Sequence, residues 1–174
     1  SIRRQRQMCI RDRKQISQEI YDTGKVNDKS EIGSYWWSEF QNAFLNAYGD
    51  NFVTQRELEY MSLAKTIQHF NSSADAKTLS GLMFNHWIKP PIFEESKQFF
   101  ELCPISIYVV SNIDRDDVLQ AIKYHDLKPA DVFTSEDAKA YKPRKELFEF
   151  ALNRVGLSPE EVLHIGDSLS SDIK

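Results

Sequence analysis

Residues 105–112 read Ile-Ser-Ile-Tyr-Val-Val-Ser-Asn. A short β-rich apolar run ending on two small polar residues is the pattern of a buried strand whose carboxyl end opens into a loop. The pattern recurs downstream. Asp131-Val-Phe-Thr134 is a second short strand, and Val162-Leu-His-Ile165 a third, followed at once by Gly166-Asp167. Helices are expected between them. After the first run, Asp114 stands as N-cap and Asp117 at the third helical position. Pro143 suits the first turn of a helix whose apolar positions are Leu147, Phe148, Ala151, Leu152 and Val155, with Gly156 at its end. Ser158-Pro-Glu-Glu161 has the form of a capping box with proline at the first helical position. Strands alternating with helices imply parallel βαβ units. Ligands of such sheets bind in the crevice beyond the strand carboxyl ends.

Upstream the period changes. Tyr35, Trp36, Phe40, Phe44, Leu45 and Tyr48 recur at helical spacing and stop at Gly49. Leu58, Met61, Leu63, Ala64, Ile67 and Phe70 form a second stripe. Leu79, Leu82, Met83, His86 and Trp87 form a third, ended by Pro90 and Pro91. Residues 15–91 therefore read as a small helical unit with an aromatic core, and residues 92–174 as an α/β unit.

The 174 residues suffice for one domain, or for a core with a small subdomain. With 22 Lys and Arg against 26 Asp and Glu the net charge is −4, which excludes a generally basic nucleic-acid coat. The longest apolar run, 105–110, is interrupted by Ser106 and is far too short to cross a bilayer. Cys9 and Cys103 make neither a disulfide framework nor a metal-ligand spacing, and read as two reduced thiols of a cytoplasmic protein. The charge is unevenly placed: residues 1–14 carry six cations and one anion, so +5, which leaves −9 on the remainder. Such an arm could bind polyanions, serve as an Arg-rich transit peptide or be foreign to the fold. It reads as foreign or unstructured sequence.

Three polar signals lie at strand ends. Ser111-Asn112, a hydroxyl beside backbone N–H groups where a helix begins, can cradle a phosphate, although Ser-Asn is also ordinary turn chemistry. Lys142-Pro143 places a cation in a loop ahead of a helix, where it can offset phosphate charge or simply be solvated. Asp167 and Asp172, five apart after the third strand, can serve Mg²⁺, a hard cation that prefers carboxylates and water; alternatively they cap a helix. Gly166 before them permits close backbone approach. Taken together, their order and shared position at strand ends weigh more than any one alone.

This order resembles motifs two, three and four of the haloacid dehalogenase-like (HAD) hydrolases. Ser111 in Val-Val-Ser-Asn matches motif two, and Lys142 in Tyr-Lys-Pro-Arg matches motif three. Asp167 and Asp172 in Gly-Asp-Ser-Leu-Ser-Ser-Asp match motif four. The resemblance implies an α/β fold, a three-layer Rossmann-like parallel sheet with a helical cap inserted after motif one. It also implies a carboxylate nucleophile, an aspartyl-phosphate intermediate and a second Asp acting as acid and base. Ser111 and the Asn112 N–H would hold the phosphoryl oxygens, Lys142 would offset charge, and Asp167 and Asp172 would bind Mg²⁺. The substrate implied is a small phosphorylated metabolite, such as a sugar or nucleoside monophosphate, with no nucleic acid or membrane partner; the oligomeric state is left open.

One departure matters. The family's Asp-x-Asp motif should end a strand ahead of the helical cap, and residues 1–14 contain neither strand nor pair. The look-alike Asp114-Arg-Asp116 lies past the strand end and reads as helix capping. The chain therefore reads as a fragment with an incomplete core, inactive by itself. A non-catalytic binding module, and within the family a haloacid dehalogenase, are the alternatives.

Overall fold

The computed structural model describes residues 2–166 and 168–172, residues 2–10 by backbone alone. Four helices come first: α1 (Ile2–Thr23), α2 (Lys29–Asn46), α3 (Gln55–His69) and α4 (Ala76–Trp87). The starts of α2, α3 and α4 follow from side-chain caps. Asp28 accepts from Ser30 N, Thr54 and Glu57 form a capping box, and Asp75 accepts from Thr78 N. They enclose a core of Ile16, Ile20, Ile32, Trp36, Leu63, Ile67, Phe70, Leu79 and Met83. The Trp36 indole N–H, which burial would otherwise leave without a partner, donates to Ser62 Oγ at 3.1 Å. Of the stripe read over residues 35–48, Trp36 and Phe40 on α2 are buried, whereas Leu45 near its end and Tyr48 beyond it are exposed.

The chain is helical from Ile2 onward rather than an unstructured arm, and α1 continues through residue 14 without a break. Residues at that expected boundary have specific partners. Arg13 pairs with the buried Glu59 at 3.0 Å and lies over the rings of Trp36 and Trp37; Asp12 meets His86 at 2.6 Å. Charge density hid this helix, because a long cationic side chain can lay its apolar stem on aromatic surface.

After Pro90-Pro91 come α5 (Glu94–Leu102), β1 (Tyr108–Ser111), α6 (Arg115–Tyr124), β2 (Asp131–Thr134), α7 (Ser135–Ala138) and α8 (Lys145–Val155). β1 and β2 pair in parallel, with Tyr108 opposite Asp131 and Ser111 opposite Thr134. Phe133 faces α8 and packs on Leu147 and Ala151, while Val132, directed to the opposite face by the strand's alternation, is buried as well. Gly156 closes α8 at φ 70°, a left-handed conformation that glycine adopts at no steric cost. The result is a helix-rich α/β fold around a small parallel sheet, an incomplete Rossmann-like core.

The expected third strand does not form. The Ser158 capping box is present, but it opens a single 3₁₀ turn, Pro159–Glu161. Residues 162–165 then run on unpaired, with Leu163 82% and Ile165 73% exposed. A strand exists only through a neighbour's hydrogen bonds, and among the described residues β1 pairs with β2 alone.

The two halves meet at a second apolar cluster. Phe40, Ala47 and Leu58 from the helical half close around Tyr141 from the loop ahead of α8.

Candidate active site

Chain direction brings Ser111, at the carboxyl end of β1, and Thr134, at the carboxyl end of β2, side by side. The loops beyond them are knitted together by Asn112. Its side-chain Oδ1 accepts from the backbone N–H of Lys142 at 2.6 Å, and its Nδ2 donates to the Lys142 carbonyl at 3.1 Å. Its own carbonyl accepts from Ser135 Oγ at 3.0 Å. Ser111 Oγ accepts from Ile113 N at 3.0 Å, holding the turn that leaves the strand. Thr134 and Asp137 cap α7, and Asp137 also receives Arg115 at 2.8 Å.

Lys142 reaches away from this clamp to Asp172. Its ammonium donates to Oδ1 at 2.6 Å, with both side chains largely buried. His164 Nε2 lies 3.3 Å from the same oxygen, and Ser168 N donates to Oδ2 at 3.1 Å. Burial pushes the Asp172 carboxyl up; the Lys142 hydrogen bond and charge, with Ser168 N–H and His164, outweigh it and hold the group below the usual carboxylate range. Gly166 is required at its position, since a Cβ there would collide with the Asp172 side chain. Thus Ser111-Asn112, Lys142 and Asp172 are linked through hydrogen bonds and one ion pair. Asp167 lies outside the described residues.

Asp114 and Asp117 behave differently from expectation. Asp114 occupies the N-cap position of α6 but makes no capping bond there. Its carboxylate instead accepts the N–H groups of Gln55 at 2.7 Å and Arg56 at 3.0 Å, capping α3 in the other half. Asp117 takes a bidentate contact from the Arg56 guanidinium at 2.6 and 2.7 Å. Burial raises the Asp114 pKa despite those two N–H groups. Each oxygen accepts a backbone N–H at the start of α3, so the Asp114 carboxylate serves as a helix cap between the two halves.

Sequence reasoning overlooked Tyr141. It is 1% exposed, its ring lies 4.6 Å from Phe44 and 5.2 Å from Phe52, and its hydroxyl donates to the Val53 carbonyl at 2.6 Å. Burial and the charge of Asp114 push its phenol far up, so it stays a neutral donor. An aromatic residue next to a site lysine in a polar loop was the available signal. An apolar groove of about 570 Å³ along α5, lined by Ile92, Phe99, Phe100 and Leu127 among others, contains none of these residues.

The chemistry of the donors bears on a metal. An ionised, largely buried carboxylate such as Asp172 is the hard oxygen donor that Mg²⁺ takes. Among the described residues no three His, Cys, Asp or Glu groups cluster as a metal site.

Residues 87–174 match the family model described as haloacid dehalogenase-like hydrolase, and the chain belongs to that hydrolase family. It is 46% identical over 44 residues to glyceraldehyde 3-phosphate phosphatase of Methanocaldococcus jannaschii, covering 25% of this chain and 19% of that protein. It is 38% identical over 71 residues to the putative HAD-hydrolase YfnB of Bacillus subtilis, covering 39% of this chain and 30% of that one. The crystal structure of the L-2-haloacid dehalogenase PA0810 is similar with a TM-score of 0.63, 16% identity and coverage of 78% of this chain and 61% of that one. The magnesium-bound structure of YfnB is similar at TM-score 0.60 and 20% identity, covering 82% and 66%. The matches thus span less than two thirds of these relatives' lengths.

Proposed function

We propose that the complete protein is a Mg²⁺-dependent phosphatase of a small phosphorylated metabolite, with this chain supplying its electrostatic groups. The observation that carries the reading is the Lys142–Asp172 pair set beside Ser111-Asn112 at the carboxyl end of β1. Ser111 Oγ and the Asn112 backbone N–H hold phosphoryl oxygens. The Asn112 carboxamide is engaged with Lys142 and takes no part in that hold. Lys142 offsets phosphoryl charge, which is the main protein contribution to this class of reaction. Asp167 and Asp172 hold Mg²⁺, which supplies further charge neutralisation at the transferred group.

The reaction proceeds through an aspartyl-phosphate on an Asp-x-Asp motif at the end of a strand ahead of the helical half, a position at which residues 1–14 hold no such pair. Asp114, the look-alike, is engaged with α3. A relative named as a phosphatase supports phosphate over halide chemistry. The dehalogenase reading draws on fold likeness alone.

A chromogenic phosphate monoester assay with and without chelator tests this. The chain as given is expected to turn over little or nothing. Joining an apolar strand that ends in Asp-x-Asp ahead of α1 is expected to restore Mg²⁺-dependent hydrolysis, and Lys142→Ala and Asp167→Asn to diminish it. Robust Mg²⁺-dependent turnover by the unextended chain, abolished by Asp114→Asn, would overturn the assignment.

A further inference from the structure

The loop that carries Lys142 is built on the helical half as much as on the α/β half. Gly49 N donates to the Lys139 carbonyl at 2.8 Å, and the Lys139 ammonium lies 5.1 Å from the centre of the Phe52 ring. Tyr141 is seated among Phe40, Phe44, Phe52 and Leu58 with its hydroxyl on Val53. Arg144 lies over Tyr48, 3.9 Å from the ring centre. Between these anchors stands Lys142, whose own backbone is clamped on the opposite side by Asn112. Consecutive Cα atoms are about 3.8 Å apart across a trans peptide and a fixed reach apart in any case, so Tyr141 cannot shift without carrying the Lys142 backbone with it.

We propose that Tyr141 is a positioning residue through which docking of the helical half sets the place of the Lys142 ammonium. The helical half then does more than cover the crevice: when it undocks, the Tyr141 seat opens, the loop relaxes and the lysine leaves its partner Asp172. Tyr141 itself stays a neutral anchor and touches none of the reacting groups. The inference rests on the phosphatase reading for its catalytic meaning, but its mechanical content does not depend on turnover.

Trace acylation of the intact chain with acetic anhydride, read by peptide mass spectrometry, tests it without a substrate. The exposed Lys145 serves as internal reference. Lys142, ion-paired and mostly buried, is expected to label slowly. Tyr141→Phe deletes only the hydroxyl bond to Val53 and is expected to speed Lys142 labelling about threefold to tenfold, the range of a modest local opening. Tyr141→Leu, which also empties the aromatic seat, should speed it further. Ile67→Val trims the helical core away from the loop and is expected to leave the Lys142 rate within about twofold. Equal acceleration by Ile67→Val and Tyr141→Phe would reduce Tyr141 to a general stabiliser and overturn the proposal, as would an unchanged Lys142 rate in Tyr141→Phe. Inorganic phosphate forms a separate arm. Failure of phosphate to slow Lys142 labelling counts against the phosphatase reading, while the coupling still stands or falls on the variants.

Discussion

Lys142 is held at three points: its backbone by Asn112, its neighbour Tyr141 by the helical half, and its ammonium by Asp172. The Asp172 end of this arrangement depends on Gly166. Gly166→Ala is expected to push the Asp172 side chain aside, break its pair with Lys142 and lower stability by about 1 kcal/mol, as small overpacking does; thermal unfolding checks it. The pair also has a pH signature. The Asp172 carboxyl titrates below its ordinary value in the folded chain, so on acidification the unfolded chain takes up that proton first. Its contribution to stability is complete above the unfolded carboxylate pKa and is lost as pH falls through the folded one. Asp172→Asn is therefore expected to flatten the acid limb of the stability profile, measured by urea unfolding at a series of pH values. An acid limb identical to that of the parent would show that the pair carries no such linkage.

At the scale of elements, the N-terminus of α3 is capped twice, once by its own Thr54 and once from α6 by Asp114. Thr54 satisfies the Glu57 N–H, and Asp114 satisfies those of Gln55 and Arg56, donors that a helix's first turn leaves open. Asp114→Ala is expected to cost about 1–3 kcal/mol, because buried N–H groups lose their acceptor. Amide exchange at Gln55 and Arg56 should rise with it, whereas Thr54→Ala leaves those two amides protected. Arg56→Lys should weaken the α3–α6 contact as well, since an ammonium cannot reproduce the bidentate bond to Asp117.

The sheet states a different fact about the whole molecule. Among the described residues two strands form it, and segment 162–165 beside the motif-four loop presents Leu163 and Ile165 to water. Leu102, Ile105 and Leu169 are exposed too. Apolar side chains this exposed invite association. The native chain is expected to bind the dye 1-anilinonaphthalene-8-sulfonate and to self-associate at rising concentration. Leu163→Lys should reduce both without shifting the far-ultraviolet circular dichroism. Absence of dye binding by the folded chain would show that this surface is covered in solution.

Local pattern determined a good deal of this protein. The period of the apolar residues separated a helical half from an α/β half, since side-chain spacing is a property of the backbone alone. Short β-rich runs placed β1 and β2, and glycine marked the end of α8 at Gly156, because glycine takes the left-handed conformation there at no steric cost. Strand ends also pointed to Ser111, Asn112, Lys142 and Asp172; Asn112 clamps the Lys142 backbone and Lys142 pairs with Asp172, while the Ser111 hydroxyl is engaged with Ile113 N in its own turn. What the pattern could not decide were quantities that belong to pairs of distant segments. Residues 162–165 have the composition of a strand, yet strand formation is settled by a hydrogen-bonding neighbour. Asp114 and Asp117 have the spacing of a local cap, yet their oxygens go to Gln55 and Arg56 in another helix, which local spacing does not encode. Tyr141 reads as one more loop aromatic until Phe44, Phe52 and Val53 close around it, and only that enclosure makes it the anchor of Lys142.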